Sequence, residues 1–180
     1  MTTLNVLIPL DGSQLSRAII PHVRRMLANE RGHITLLRVA EPPVSITGAP
    51  PRPMALGWTR PMYADARDIE YARHPIYSSQ IEQNARAEIE RELLDDRHAL
   101  EQAGFDVSIS IRFGNPADEI ADVARREHVD LIAMATHGST GLRRLVLGSV
   151  TEQVLSQVSV PVLLLRPFHE GAGRPGEPVN

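Results

Sequence analysis

Two segments of the sequence carry residues that could handle a phosphate group. Asp11 ends an apolar run, in PLDGSQLS, directly before Gly12. The segment MATHGSTGLRRLVLGSVTEQVL, residues 134–155, places Gly138, Gly141 and the pair Gly148-Ser149 ahead of a helical pattern. Glycine allows backbone N–H groups to approach a phosphate because no Cβ stands in the way. A helix start adds unpaired donors and the positive end of a dipole. The same residues also describe ordinary turns: Asp11 can bond its own backbone two residues on, and Ser149 can cap its helix. His137 has the chemistry of a general base, but the sequence pairs it with no nucleophile or orienting carboxylate. Arg143 and Arg144 read as a solvated face, with contact to a terminal phosphate as the alternative.

Composition removes several other chemistries. All 19 basic residues are arginine, so neither a P-loop lysine nor a Schiff-base amine is available. The absence of cysteine removes disulfides, thiol catalysis and thiolate metal sites. A net charge of -3 argues against a sequence-independent nucleic-acid binder, which needs a concentrated basic face. With 42% hydrophobic and 23% charged residues over 180 positions, one globular core is expected. No basic leader or bilayer-length apolar run is seen, so the expectation is a cytoplasmic protein with no membrane partner.

These residues must be held by elements, and the chain alternates strand-length apolar runs with helical patterns, the signature of a parallel α/β sheet. The strands read as Leu4–Leu10, His33–Ala40, Val107–Phe113, Val129–Thr136 and Val160–Arg166. The first and fourth are almost continuously apolar and belong in the centre, covered on both faces. The third alternates Val107, Ile109 and Ile111 with polar residues and belongs at an edge. The fifth is apolar but contains Pro161, which suits an edge that something covers, such as the same strand of a second copy. Ser13 caps a first helix that Pro21 should kink. A second helix over Ser78–Gln102 carries Ile81, Ala85, Ile89, Leu93 and Leu100 near one face, and its EIERELLDDRH run reads as a solvated face with i,i+4 pairs. A third begins at Asn115-Pro116, and a fourth follows Gly148.

About 37 residues, Glu41–Tyr77, separate the second strand from the second helix; they hold seven of the fourteen prolines, Trp58, Tyr63, Tyr71 and Tyr77. A connection of this length is a lid, a binding loop or a passive insert. It leaves the carboxyl end of its strand, where ligands sit in such sheets, so the lid reading places it beside the site.

The segments VLIPLDGSQLSRAII, HITLLRVAEP and DLIAMATHGSTGLRRLVLGSVTEQVLSQVSVPVLLLR closely resemble universal stress proteins of the nucleotide-binding type. The family pattern is Gly, two residues, Gly, nine residues, Gly, then Ser or Thr. The matching positions are Ala135, Gly138, Gly148 and Ser149, with alanine at the first glycine and Gly141 outside the pattern. The resemblance implies a Rossmann-like open five-stranded parallel sheet in the order 3-2-1-4-5, with helices on both faces. It implies ATP with Mg2+ as the ligand. Adenine would lie near Val39 and Asp11, ribose near Asp11 and Ala135 with Met134 adjoining, and the phosphates on Gly138, Gly148, Ser149 and Val150. Pro9 and Leu10 would form the neighbouring wall. It also implies a homodimer through the last strand, Val160 to Leu165.

The expected organisation is one universal stress protein domain over residues 1–168, with the proline-rich insert at about 41–77 and a flexible tail over 169–180. The expected function is a homodimeric ATP-binding regulatory or stress-response module with slow or no hydrolysis. Two alternatives remain: a dimeric interaction module without nucleotide, and a nucleotide-transforming enzyme on the same fold. Enzymes of the latter kind carry a His-x-Gly-His or Ser-Gly-Gly-x-Asp-Ser signature after the first strand, where this chain has only PLDGSQLS.

Overall fold

The continuous apolar runs become the middle of a sheet and the alternating run becomes its rim. In the computed structural model, which describes residues 3–28, 32–43, 75–136 and 147–167, the strands are β1 (Leu4–Leu10), β2 (Gly32–Ala40), β3 (Asp106–Phe113), β4 (Leu131–Ala135) and β5 (Val162–Leu165). All pair in parallel, in the order β3-β2-β1-β4-β5. Between β1 and β4 the order reverses, so this is the switch point. β4 is shorter than the apolar run suggested, because the Val129 N–H still donates back to the Ala124 carbonyl at 3.0 Å and the Asp130 N–H donates to the Asn5 carbonyl at 2.8 Å before the strand begins. β5 begins after Pro161, which has no N–H to give to a ladder.

The helices are α1 (Gln14–Arg17), α2 (Ile20–Met26), α3 (Pro75–Glu101), α4 (Pro116–Arg126) and α5 (Ser149–Gln157). The expected kink at Pro21 is a full break. α1 ends at Arg17, and α2 starts at Ile20 with Pro21 in its first turn, where a missing N–H costs nothing. α3 starts three residues before the expected Ser78, because Pro75 is compatible with a first helical position. The insert therefore ends earlier than Tyr77; residues 44–74, with Trp58 and the lid expectation, lie outside the described residues.

Period two along each strand sends side chains to opposite faces. One face carries Val6, Ile8, Leu10, Ile34 and Leu36, which pack with Ile19, Ile20 and Val23 of the α1–α2 segment and Leu93 and Leu100 of α3. The other carries Leu7, Leu37, Ile132 and Met134, covered by Ala117, Ile120, Val123 and Ala124 of α4 and Val154 of α5. On α3, Leu93 and Leu100 are buried as expected, but Ile81 is 43% exposed; the helix outruns the sheet at that end. The charged run on α3 is also not wholly solvated. Asp96 accepts from Arg17 Nε at 2.7 Å, both side chains being four-fifths buried, and so ties α3 to α1. Arg97 makes an i,i+4 pair with Glu101. Among the described residues no helix is long and apolar enough to cross a membrane.

Candidate functional site

At the carboxyl ends of β1, β2 and β4 the chain leaves a cleft of about 300 Å³. β1 contributes Pro9 and Leu10, with Asp11 just beyond the strand; β2 contributes Val39, and β4 Met134 and Ala135. Gly148, Ser149 and Val150 close it from the start of α5. Nine of the ten residues expected to form a nucleotide site thus line one cavity. Gly138, the tenth, lies with His137, Arg143 and Arg144 outside the described residues.

Asp11 sits where β1 ends and the chain must turn into α1. Its Oδ1 accepts the Ser13 N–H at 2.8 Å, so the ordinary Asx-turn bond is made. Gly12 follows with φ of +88°, in the region that favours glycine. A Cβ there would also stand 3.0 Å from the Arg38 guanidinium. Ser13 caps α1 by accepting the Ser16 N–H at 3.0 Å, and Ser16 Oγ donates to the Ser13 carbonyl at 2.9 Å. This short network orients Asp11 at the cleft rim.

Gly148 is different. Its φ of -61° and ψ of 150° suit any residue. A Cβ built on it meets no atom within 4 Å among the described residues. Neither backbone conformation nor packing against the described residues demands glycine here. Gly148, and not Ser149 as one reading of the sequence had it, is the N-cap of α5, because helical geometry starts at Ser149; no side chain caps the helix. The first intrahelical bond runs from Glu152 N–H to the Gly148 carbonyl at 3.0 Å. The N–H groups of Ser149, Val150 and Thr151 precede it and have no acceptor within the helix, and all three residues line the cleft.

The sequence reading did not single out Leu37, Pro116, Ile120, Ser16 or Thr151, which complete the wall. Leu37 was reachable, since it lies two residues before Val39 on the same strand face. Pro116 and Ile120 are an i,i+4 pair on α4, and only the packing of α4 over β2 brings them to the cleft. The result is an apolar slot of Pro9, Leu37, Val39, Ile120 and Met134, with Asp11 at one side and, at the other, the first N–H groups of α5, which have no acceptor within the helix. Such a slot suits a flat heterocycle joined to an anion. No cluster of three or more metal-ligating side chains occurs among the described residues.

An open parallel α/β sheet with a cleft at its switch point is the Rossmann-like class of nucleotide-binding fold. The chain matches the profile of the universal stress protein family over residues 3–166, and it belongs to that family. It is 34% identical over 90 residues to Universal stress protein MJ0577 of Methanocaldococcus jannaschii, a stretch covering 50% of this chain and 56% of that protein. The chain spans about half or less of the first curated relatives it matches, 39% and 23% for two further members. The solved structure of MJ0577 superposes with a TM-score of 0.65 at 25% identity, covering 94% of this chain and all of that one. Two more distant structures share the fold. One is a universal stress protein in complex with cAMP, with a TM-score of 0.58, 16% identity, and 92% and 98% of the two chains covered. The other is an Arabidopsis thaliana family protein with AMP bound, with a TM-score of 0.54, 15% identity, and 96% and 97% covered.

Proposed function

We propose that this chain is an adenine-nucleotide-binding stress-response module that takes ATP with Mg2+ and acts as a homodimer. The observation that carries the reading is the start of α5: a glycine that neither its backbone conformation nor any described neighbour requires, followed by three N–H groups that no side chain among the described residues caps, facing an apolar slot. Folds of this class bound to cAMP and to AMP support the choice of an adenine nucleotide. In this reading the base lies against Pro9, Leu37 and Val39, and the ribose hydroxyls meet Asp11 near Ala135. The phosphates take N–H groups from Ser149 and Val150, with Gly148 and Gly138 allowing close approach. The apolar slot excludes water, and Asp11, already fixed by the Ser13 N–H, presents its carboxylate without further ordering.

Hydrolysis is expected to be slow or absent, since the chain has no lysine and the sequence motif positions no evident base or arginine finger. Turnover well above about 1 per second, the low end of kinase rates, would contradict this. Dimerisation rests on β5, an apolar edge strand whose residues are only partly buried in the single chain. Val162→Arg or Leu164→Arg should favour monomer in sedimentation velocity; a wild type that sediments as a monomer at micromolar concentration would refute the dimer. Nucleotide binding is tested by isothermal titration with ATP, ADP, AMP and cyclic AMP, each with and without Mg2+. Saturable binding of at least one is expected, and heats at the level of dilution for all four would leave a dimeric interaction module without nucleotide.

A further inference from the structure

At the amino ends of the strands, on the same sheet face but opposite the cleft, five polar side chains meet around a second cavity. The register places Asn5, His33 and Asp106 in one row and Leu7, Thr35 and Ser108 in the next. His33 Nδ1 lies 2.8 Å from Asp106 Oδ2, and His33 Nε2 lies 3.0 Å from Ser108 Oγ. A carboxylate can only accept, so in the neutral imidazole Nδ1 donates to Asp106 and Nε2 is left to accept from Ser108. Thr35, 3% exposed, donates its hydroxyl to Glu127 Oε2 at 3.1 Å and stands 3.2 Å from Ser108 Oγ. The cavity beside them is about 340 Å³, is lined by His33, Thr35, Ser108 and Glu127, and includes Asn5, its one amide side chain. Ser108, one of the polar residues that mark β3 as an edge in the sequence, thus meets His33 of β2, and His33 meets Asp106 at the start of β3, a hydroxyl, an imidazole and a carboxylate in chemical order.

We propose that Ser108, His33 and Asp106 form a nucleophile, base and orienting carboxylate for hydrolysis of small esters. This is an activity separate from nucleotide binding. A hydroxyl becomes a competent nucleophile when a base within hydrogen-bond reach takes its proton and a third group holds that base in the correct tautomer. Ser108 Oγ attacks the ester carbonyl carbon while its proton passes to His33 Nε2. Collapse of the tetrahedral adduct breaks the bond to the alkoxide, which leaves with that proton as the alcohol. Water then attacks the acyl-Ser108 carbonyl, gives a proton to Nε2, and releases the carboxylic acid as Ser108 recovers its hydrogen. Asn5, which lines the same cavity, supplies the amide N–H that would meet the developing oxyanion. Asp106 is a positioning residue, and at 83% side-chain exposure it orients His33 through a water-screened bond, so turnover is slow.

The test uses the full-length chain, p-nitrophenyl acetate as ester, and diisopropyl fluorophosphate as the covalent probe, whose phosphorus binds Oγ as fluoride leaves. The expected result is one adduct per chain, mapped by mass spectrometry to Ser108. Ester turnover should be lost in Ser108→Ala and fall about 100-fold in His33→Gln, the lower range for a positioned base. Asp106→Asn should lower kcat at unchanged KM. Because the chain has no cysteine, Ser108→Cys introduces a single thiol. Iodoacetamide should alkylate it faster than it alkylates the same thiol in the His33→Gln background. Absence of an adduct on Ser108, ester turnover unchanged in Ser108→Ala, or equal alkylation rates in the two backgrounds would overturn the proposal and leave a network that only satisfies buried Thr35.

Discussion

Two helices, α4 and α5, start at the same end of the same sheet face, and they treat their first N–H groups in opposite ways. α4 supplies its own acceptor: Asn115 Oδ1 takes the Ala117 N–H at 3.0 Å and the Asp118 N–H at 3.4 Å, and Asp118 and Glu119 sit in the first turn against the positive dipole end. α5 has Gly148 at the corresponding place and no side-chain cap. Both contribute residues to the cleft, Pro116 from one and Ser149 to Thr151 from the other. In α4 the donors are used for stability. In α5 they are kept for an anion under the proposed reading, at the expense of the stability a cap would add.

Substitutions at the two caps separate these roles. The largest effect is expected from Gly148→Val, whose branched side chain would occupy the space beside the α5 donors. It should weaken nucleotide binding tenfold or more, about 1.4 kcal/mol, and also lower stability by up to about 1 kcal/mol, because valine is a much poorer N-cap than glycine. Titration calorimetry together with thermal melting would show both. Asn115→Ala should affect stability alone. It removes about 1 kcal/mol of stability, as loss of an Asn cap usually does, which is roughly 2–4 °C in Tm for a chain of this size, and it leaves affinity unchanged. A smaller effect is expected from Gly148→Asn, which gives α5 the self-cap that α4 has. It should raise stability by a few tenths of a kcal/mol and weaken nucleotide binding because the new acceptor competes with phosphate. A Gly148→Asn chain that is stabilised but binds as tightly as wild type would break the contrast. As a baseline, Arg97→Ala removes an exposed i,i+4 pair with Glu101 and should change stability by about 0.3–0.5 kcal/mol, with no effect on nucleotide.

The centre and edge places of the strands were legible because burial writes itself into composition, and the full order came with the family resemblance. β1 and β4 are apolar on both faces, β3 alternates, and Pro161 marks the start of an edge. The Asn115-Pro116 start of α4 was legible because both residues act locally. What was not legible depends on contacts between elements. Ile81 has the right helical spacing for the core but sits where α3 projects past the sheet, so no partner buries it. Asp96 looks like one more solvated charge until α1 brings Arg17 to it. At the site, Pro9, Val39, Met134, Ala135 and Ser149 came with the family resemblance and the switch-point rule, whereas Pro116 and Ile120 depend on how α4 lies across β2. The His33, Ser108 and Asp106 cluster escaped because its members are 73 and 75 positions apart, and only the parallel register of β2 with β3 makes them neighbours.

The central claim is that the uncapped start of α5 holds the phosphates of an adenine nucleotide, and titration of ATP into the wild type and into Gly148→Val tests it most directly. Saturable binding to the wild type, with affinity at least tenfold lower in the variant at a temperature where both proteins are folded, is the predicted result. Equal affinity in the two proteins would contradict it and place the phosphates away from α5.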